Sequence, residues 1–493
     1  MHNQGFFPAW RHQLGPMGRS GLPLRAIRSA TLAQVESRLA PALPPDLLQA
    51  PRRGAHSRDR IFPLFRTFWC WFWQILQANT SCREVVRQVQ ALFALQGGAK
   101  VDEATGAYCE ARKKVPLALL EKAFAASAQS AQRQAEESSV LQGRQLKGLD
   151  GSNVRLADTP ANRRAYPPSR SAPLGSGFPL LKIVVLFSLA SGAILARACG
   201  TQLVHEVRIC ESLRACFTKG DIIVADRAYG IYAIVAWLQS LQADVIARVP
   251  TRLRRVDFRK ARQRHTSHDA LFLWRRPEKA CAFLPLAQWL GLPEQMQVRI
   301  LRVRVHQAGF RPGLLTLVTT LLDPVAYPAH QIIDAYARRW RLEICLNDLK
   351  TTMGMEQLSC HSPKMVEKEL LVFLTVYNLL RWLMAQAARP EGVSLERLSF
   401  KGTLDAFRQW SLAAAQLGRS PRRNAKRQRL WKRLLYILAA DLVPERPGRR
   451  EPRAVKKPKK YPHLNCPRHQ FRDPRKSNLR KSLRLARRRQ SLI

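Results

Sequence analysis

The chain has 493 residues, 46% of them hydrophobic, so it can bury a substantial core, and its length suggests two to four units. It carries 82 Lys and Arg against 35 Asp and Glu, a formal net charge of +47, which opposes compactness unless a polyanion accompanies it. Nucleic acid is therefore the first partner to consider, with an RNA-coating protein as the plain alternative. A membrane-surface protein is disfavoured, because no long basic amphipathic helix flanks an anchor.

The cysteines and the N-terminus indicate the compartment. The ten cysteines are scattered and form no Cys-x-x-Cys pair, which disfavours a zinc site and fits a reducing cytoplasm. The first fifteen residues lack the apolar core of a signal peptide. We therefore expect a cytoplasmic protein.

The N-terminal region divides into a loose segment and a helical module. Residues 1–57 are rich in Pro, Gly and Arg without a sustained period, so we expect loose order. Helical spacing of apolar residues follows in 60–77, and a third helix is predicted over 115–132. Between them, Ser81 and Glu84 have the spacing of a capping box at the start of a second helix.

The pattern changes near residue 145. The stretch QLKGLDGSNVRLADT predicts strand, turn and strand. Residues 180–196 predict two buried strands with a turn near Ser191-Gly192, because Lys182 and this break make the run unsuitable for a spanning helix. A helix over 206–216 and a strand, helix and strand over 220–250 complete an α/β pattern.

A basic mixed segment over 251–313 then interrupts this pattern. Residues 314–323 predict a strand that returns to the core, and Pro328 precedes a helix that contains DAYARRWRLEICLNDLK. A largely buried helix is predicted over 367–388. The final residues 446–493 carry 18 Lys and Arg against two acidic residues, which is typical of a solvated tail that meets phosphates.

The predicted helix after Pro328 groups four polar side chains. At about 100° per residue, Tyr336, Arg339, Glu343 and Lys350 project within a sector of about 60°. A carboxylate between two cations suits phosphate chemistry, because the carboxylate can hold a metal while the cations meet phosphate oxygens. A solvated stripe of paired charges is the alternative.

Two aspartates supply companions for Glu343. Asp226 ends the apolar run IIVAD, at the tip of a predicted core strand, where functional groups are common; a helix N-cap is the alternative. Asp150 lies in LKGLDGS, where Asp-Gly also suits a hairpin turn. Together the three carboxylates can converge on two Mg²⁺ ions, which clamp both oxygens of an in-line phosphoryl displacement.

These motifs resemble the IS4 family of bacterial DDE transposases. Its signature is Tyr, two residues, Arg, three residues, Glu, six residues and Lys, and Tyr336, Arg339, Glu343 and Lys350 match every interval. DGSNVRLADTPANRRAYP and GDIIVADRAYGIY resemble the two aspartate regions. The resemblance covers roughly residues 58–390.

The resemblance implies an α/β, RNase H-like mixed β-sheet flanked by helices, with a β-rich insertion, an N-terminal helical domain and a basic C-terminal tail. It implies Asp150, Asp226 and Glu343 as catalytic, metal-binding residues for two Mg²⁺ ions, with Mn²⁺ as the alternative. Arg339 and Lys350 would contact DNA phosphates, and Tyr336 would order that contact.

The implied activity is cleavage of the insertion-sequence ends, commonly through a hairpin, and joining of the 3′-OH to target DNA. The implied partners are double-stranded DNA, as terminal inverted repeats and target, and further copies of the chain, as a homodimer or higher synaptic assembly, with no membrane. Such a protein would act at the bacterial nucleoid.

The implied domains follow the chain. The helical module would recognise the inverted repeats, with Arg83 and Arg87 as contacts or as a solvated face. The insertion would assist the hairpin step, and Trp274 and Trp289 are candidates for stacking on a flipped base, with structural packing as the alternative for each. The boundaries are 1–57, loose; 58–140, helical DNA-binding; 141–250, first catalytic part; 251–313, insertion; 314–390, second catalytic part; 391–493, helical segment and tail.

Two other functions remain as alternatives. A metal-dependent nuclease of the same core would cut strands without joining them. An inactive DNA-binding relic would use only the basic surface. Such a protein should lack one of the three carboxylates, and the presence of all three favours an enzyme.

Overall fold

The computed structural model describes residues 38–49, 53–56, 61–77, 80–95, 100–135, 140–168, 177–250, 256–305, 313–415 and 424–444. Most of the predicted loose segment and the whole basic tail lie outside these residues. The helices are α1 (Leu64–Leu76), α2 (Cys82–Leu95), α3 (Gly106–Lys114), α4 (Leu117–Arg133), α5 (Pro160–Ala165), α6 (Glu206–Cys210), α7 (Tyr232–Ser240), α8 (Leu286–Leu290), α9 (Ala329–Ala337), α10 (Trp340–Asn347), α11 (Pro363–Ala388), α12 (Phe400–Ala415) and α13 (Asn424–Ala440). The strands are β1 (Val140–Leu141), β2 (Arg144–Arg155), β3 (Leu180–Ser188), β4 (Ile194–Thr201), β5 (Ile222–Ala225), β6 (Asp244–Arg248), β7 (Gln263–Thr266), β8 (Asp269–Arg275), β9 (Gln295–Val305) and β10 (Gly313–Thr319).

The described residues cluster into two compact units. The smaller comprises the described residues of 38–41, 48–115 and 404–437, and the larger comprises the other described residues. The structure places α4 in the larger unit, whereas the sequence pattern groups it with the preceding helices. The reason is non-local, since the apolar face of α4 packs along α11.

The smaller unit contains the predicted capping box. The N–H of Glu84 donates to Ser81 Oγ at 3.3 Å, and the N–H of Ser81 donates to Glu84 Oε2 at 2.5 Å, which satisfies two of the free N–H groups at the start of α2. Arg83 is exposed on this helix, whereas Arg87 is ion-paired with Glu103 at 3.0 Å.

The larger unit is built on one mixed sheet. Its strand order is β4-β3-β2-β5-β6-β10-β9-β8-β7, with β1 paired to β2. Strands β2, β3 and β4 are antiparallel neighbours, while β5 is parallel to both β2 and β6. Helices such as α7 cover an apolar face of this sheet. The predicted mixed α/β fold, a β-sheet flanked by helices, is confirmed.

One local prediction is wrong. The Asp150-Gly151 pair does not turn the chain but lies inside the continuous strand β2, whose residues Lys147–Arg155 pair with Ser188–Leu180 of β3. Long-range pairing with β3 outweighs the turn preference of Asp-Gly in this strand. The turn that the sequence places at Ser191-Gly192 is present, with Gly192 at φ +69° between β3 and β4.

The segment between β6 and β10 extends the same sheet. Strand β10 pairs with β6 on one side and with β9 on the other, and β8 and β7 continue outward. The buried Arg299 of β9 joins this extension to the core. Its guanidinium is ion-paired with Asp269 and donates to the carbonyl of Tyr327 at 2.7 Å.

Helix α11 is the central helix of the larger unit. Among the described helices it is the one long and apolar enough to cross a membrane. However, 94% of its most apolar 18-residue stretch is buried inside the protein, which is typical of a core helix. Its Asn378 side chain bonds the N–H of Ile194 at 2.8 Å and the carbonyl of the same residue at 2.9 Å, fixing α11 to β4.

Candidate active site

The two predicted aspartates meet where a strand ladder ends. The parallel pairing of β2 with β5 runs from Leu146–Ile222 to Leu149–Ala225. Asp150 is the next residue of β2 and Asp226 is the first residue after β5, so they stand side by side beyond the last pair. Asp226 is not the N-cap of α7, which begins at Tyr232; its Oδ1 instead accepts from the N–H of Ala228 at 2.7 Å.

Helix α10 reaches the same place through a gap left by Gly148. A Cβ on Gly148 would lie 2.6 Å from the side-chain methyl carbons of Leu342. Gly148 and Asp150 are two residues apart on β2 and so share a face of the sheet. The close approach of Leu342 therefore brings the next residue, Glu343, to the face that carries Asp150.

The predicted single helix after Pro328 is broken, which corrects the geometry derived from its spacing. Helix α9 ends at Ala337, α10 begins at Trp340, and Lys350 lies in a π-helical turn over Asp348–Thr352. At the break the N–H of Leu342 donates to the carbonyl of Arg339 at 2.9 Å, a tight i to i+3 bond. A tight turn before Glu343 and a wide turn after it together keep the signature side chains on one side.

All six predicted site residues line one cavity of about 530 Å³. They are Asp150, Asp226, Glu343, Tyr336, Arg339 and Lys350. The cavity also contains cations and polar groups that the sequence reasoning missed: Arg227, Arg248, Ser152, Asn347, Thr351 and Glu356. The position of Arg248 at the end of β6 is the signal that could have identified it, because functional groups collect at such ends.

Two cations in the cavity have different partners: Arg339 is paired with a carboxylate, whereas Lys350 is bonded to a hydroxyl. Arg339 Nη2 lies 2.8 Å from Glu343 Oε1, and Lys350 Nζ donates to Ser152 Oγ at 3.1 Å. Burial raises the pKa of Asp150 from its ordinary 3.8 to about 6, and the charges of Asp226 and Glu343 add to this effect. The N–H of Gly151, 2.8 Å from Asp150 Oδ1, and the charge of Arg339 oppose it.

The donor set suits a hard divalent cation, since three carboxylates supply only oxygen ligands. In the part of the chain that the structure describes, no three acidic, His or Cys side chains stand close enough to hold an ion as they are. Glu343 is directed to Arg339 instead. The residue types therefore fit a divalent metal, and completing the set requires Glu343 to leave Arg339.

The two tryptophans considered for base stacking do not line this cavity. Trp289 is 3% exposed and its ring centroid lies 6.3 Å from that of Tyr232. Trp274 is partly buried against the same apolar cluster. Both side chains therefore pack against the apolar cluster, which is the structural alternative considered for each.

Gly148→Ala is expected to lower the DNA strand-cleavage rate by about tenfold or more, because the new Cβ must displace Leu342 and with it α10, and small misplacements of catalytic groups are costly. The measurement is single-turnover cleavage at matched DNA occupancy. Gly106→Ala is the control, since a Cβ there meets nothing within 4 Å. Wild-type cleavage by Gly148→Ala would show that this contact does not position Glu343.

Asp150→Asn is expected to stabilise the metal-free protein at pH 7 to 8. Because the folded-state pKa of Asp150 is raised, the cost of burying its charge is fully present above about pH 6 and fades as the pH falls toward 4. The gain is at most about 3 kcal/mol, from roughly 2 pKa units. Thermal unfolding of both proteins at pH 4 and pH 7.5 without metal checks this. Equal melting temperatures at pH 7.5 would count against it.

The comparisons with known proteins agree with this geometry. Residues 143–379 match the family described as the transposase DDE domain, which spans both aspartates, Glu343 and Lys350. The chain is 26% identical over 413 residues to transposase InsG for insertion sequence element IS4 of Escherichia coli strain K12, covering 82% of this chain and 88% of that protein.

A solved structure, the cryo-EM piggyBac transposase synaptic complex with hairpin DNA, has a TM-score of 0.40 and 10% identity to this chain. The match covers 86% of this chain and 85% of the other.

Proposed function

We propose that this chain is a DDE transposase of the IS4 family, as its match to the transposase DDE domain and its similarity to transposase InsG support. It would cleave the ends of an insertion sequence and join the freed 3′-OH to target DNA by two-metal-ion phosphoryl transfer, in a cut-and-paste reaction through a hairpin. The observation that supports this most is the convergence of Asp150, Asp226 and Glu343 with Arg339 and Lys350 on one cavity.

The three carboxylates would hold a pair of Mg²⁺ ions, with Mn²⁺ as the alternative. The chemistry that such ions supply when bound is activation of the attacking water or 3′-hydroxyl and stabilisation of the departing oxygen. Asp150 and Asp226 are already adjacent, so they would form the first half of the site. Glu343 would complete it after leaving Arg339.

Arg339 and Lys350 would bind the phosphates on either side of the cleaved bond. When Glu343 leaves Arg339 for the metal site, the Arg339 guanidinium becomes free to bind, and its planar set of N–H donors suits phosphate oxygens. Tyr336 supports Arg339, because the guanidinium carbon lies 6.0 Å from its ring centroid. Burial raises the pKa of Tyr336, so its hydroxyl stays neutral and can donate to a phosphate.

The partners follow from this reaction. Two element ends must be held together while they are joined to the target, so we propose a homodimer or higher assembly on the terminal inverted repeats. The helices of the smaller unit would recognise these repeats, and the insertion would assist the hairpin step. A protein with these partners would act at the nucleoid in a bacterial cytoplasm.

The test follows the DNA strands over time. End-labelled DNA carrying the element's ends is incubated with the protein, Mg²⁺ and a supercoiled target plasmid, and products are resolved on denaturing gels. The proposal predicts a nicked end, then a hairpin, then strands joined to the plasmid. Cut ends that are never joined would favour the nuclease, and bound but uncut DNA would favour the relic.

A further inference from the structure

A fourth carboxylate lies directly behind the strand that carries Asp150. Glu206, the first residue of α6, places its Oε2 only 2.5 Å from the position that a Cβ on Gly151 would occupy. The Glu206 carboxylate therefore fills the space of the missing side chain one residue after Asp150. Any larger residue at 151 would push this carboxylate away from the strand.

The strand edge is open at this point. The pairing of β2 with β5 ends at Leu149, so Asp150 and Gly151 have no neighbour on that side of the ladder. Helix α6 is firmly placed, because Ile209 fills the space beside Gly200 of β4 and Val207 is buried in the same core. The position of Glu206 thus follows from the fold rather than from a free surface helix.

The Glu206 carboxylate lacks a compensating partner. Within the described residues it makes no hydrogen bond or ion pair, and Lys182, the cation whose charge acts on it, donates instead to the carbonyl of Val204 at 2.6 Å. The charges of Asp226 and Asp150 reach it, so three partly buried carboxylates repel one another here. Partly buried carboxylates normally have a partner, and a cation would supply it.

Tyr229 gives a second, independent sign of a ligand. Its side chain is 0% exposed, yet its hydroxyl has no hydrogen-bond partner among the described residues. The negative charges of Glu206, Asp226 and Asp150 all act on this phenol. Buried polar groups normally have a hydrogen-bond partner, so the unsatisfied hydroxyl of Tyr229 points to a bound group in this region.

We propose that Glu206 is a fourth carboxylate of the metal centre, which helps to hold the cation between Asp150 and Asp226 either directly or through a water molecule. This inference rests on the proposed function, since it assumes that the two aspartates bind a divalent cation. It adds a residue outside the three-carboxylate set, supplied from the opposite side of the strand.

The test measures Mn²⁺ binding by electron paramagnetic resonance on full-length protein without DNA, so that activity is not the readout. Glu206→Gln is expected to weaken Mn²⁺ binding by about 10- to 100-fold, the range found when supporting groups of metal sites are removed. Glu211→Gln is the control, because this acid lies on the following turn and accepts from Gln288 at 3.0 Å.

Gly151→Ala supplies a second variant that keeps every charge. Its Cβ must displace the Glu206 carboxylate, so Mn²⁺ binding should weaken in the same direction as in Glu206→Gln. Mn²⁺ affinities within twofold of wild type for both variants would overturn the proposal.

Asp226→Asn separates this failure from failure of the proposed function. Loss of binding in Asp226→Asn with wild-type binding in Glu206→Gln would reject only the fourth carboxylate. Wild-type binding in Asp226→Asn would reject the metal centre itself.

Discussion

Glu343→Gln is expected to lower the rate of DNA strand cleavage by about 10³-fold or more, while DNA affinity stays within a few-fold of wild type. Gln keeps the size and hydrogen bonding of Glu but removes the charge that a metal ligand needs. Loss of several kcal/mol of charge stabilisation at about 1.4 kcal/mol per tenfold gives this magnitude. Single-turnover cleavage and a gel-shift titration on the same end DNA measure the two quantities.

Asp334→Asn is the matched control for this variant. Asp334 is an exposed acid in the same signature segment, yet it does not line the cavity. We expect it to cleave like wild type. If Glu343→Gln cleaved as fast as Asp334→Asn, Glu343 would not take part in catalysis. The charged residues on this helix would then be a solvated surface.

Asp269→Ala is expected to destabilise the larger unit by about 3 to 5 kcal/mol, because it leaves the guanidinium of Arg299 buried without its partner. The two side chains are 7% and 1% exposed, and Arg299 Nε lies 2.7 Å from Asp269 Oδ1. Arg299 also holds the carbonyls of Asp323 and Tyr327, just before α9. Urea unfolding followed by circular dichroism measures the loss.

Two further variants test the cause of this loss of stability. Glu356→Ala breaks an exposed ion pair with Arg155 in the same unit and should cost no more than about 1 kcal/mol. The double variant Asp269→Leu with Arg299→Met removes both buried charges and should recover part of the stability. Equal stability of Asp269→Ala and Glu356→Ala would contradict the account of this pair.

Local chemistry was predictable from the sequence where neighbours in the chain decide the structure. The capping box at Ser81 and Glu84 forms both of its bonds, and the apolar run that ends at Ala225 is a strand with Asp226 at its tip. The spacing from Tyr336 to Lys350 also identified side chains that line one cavity.

Long-range packing decided the features that the sequence did not predict. Pairing with β3 makes the Asp150-Gly151 step part of a strand, although the dipeptide itself favours a turn. Arg248 stands at the end of a strand, which the sequence can suggest, but which strand ends line the same cavity depends on the strand order across the sheet. The same holds for Glu206, whose relation to Asp150 exists only because Gly151 leaves space between two elements 55 residues apart.

The most direct test of the central claim is anomalous diffraction from the protein bound to its end DNA in Mn²⁺. We expect anomalous peaks in the cavity between Asp150, Asp226 and Glu343, with the Glu343 carboxylate moved away from Arg339. Peaks elsewhere, in a complex that still cuts DNA and keeps the Arg339–Glu343 pair closed, would contradict the claim that these three carboxylates form the metal-dependent active site.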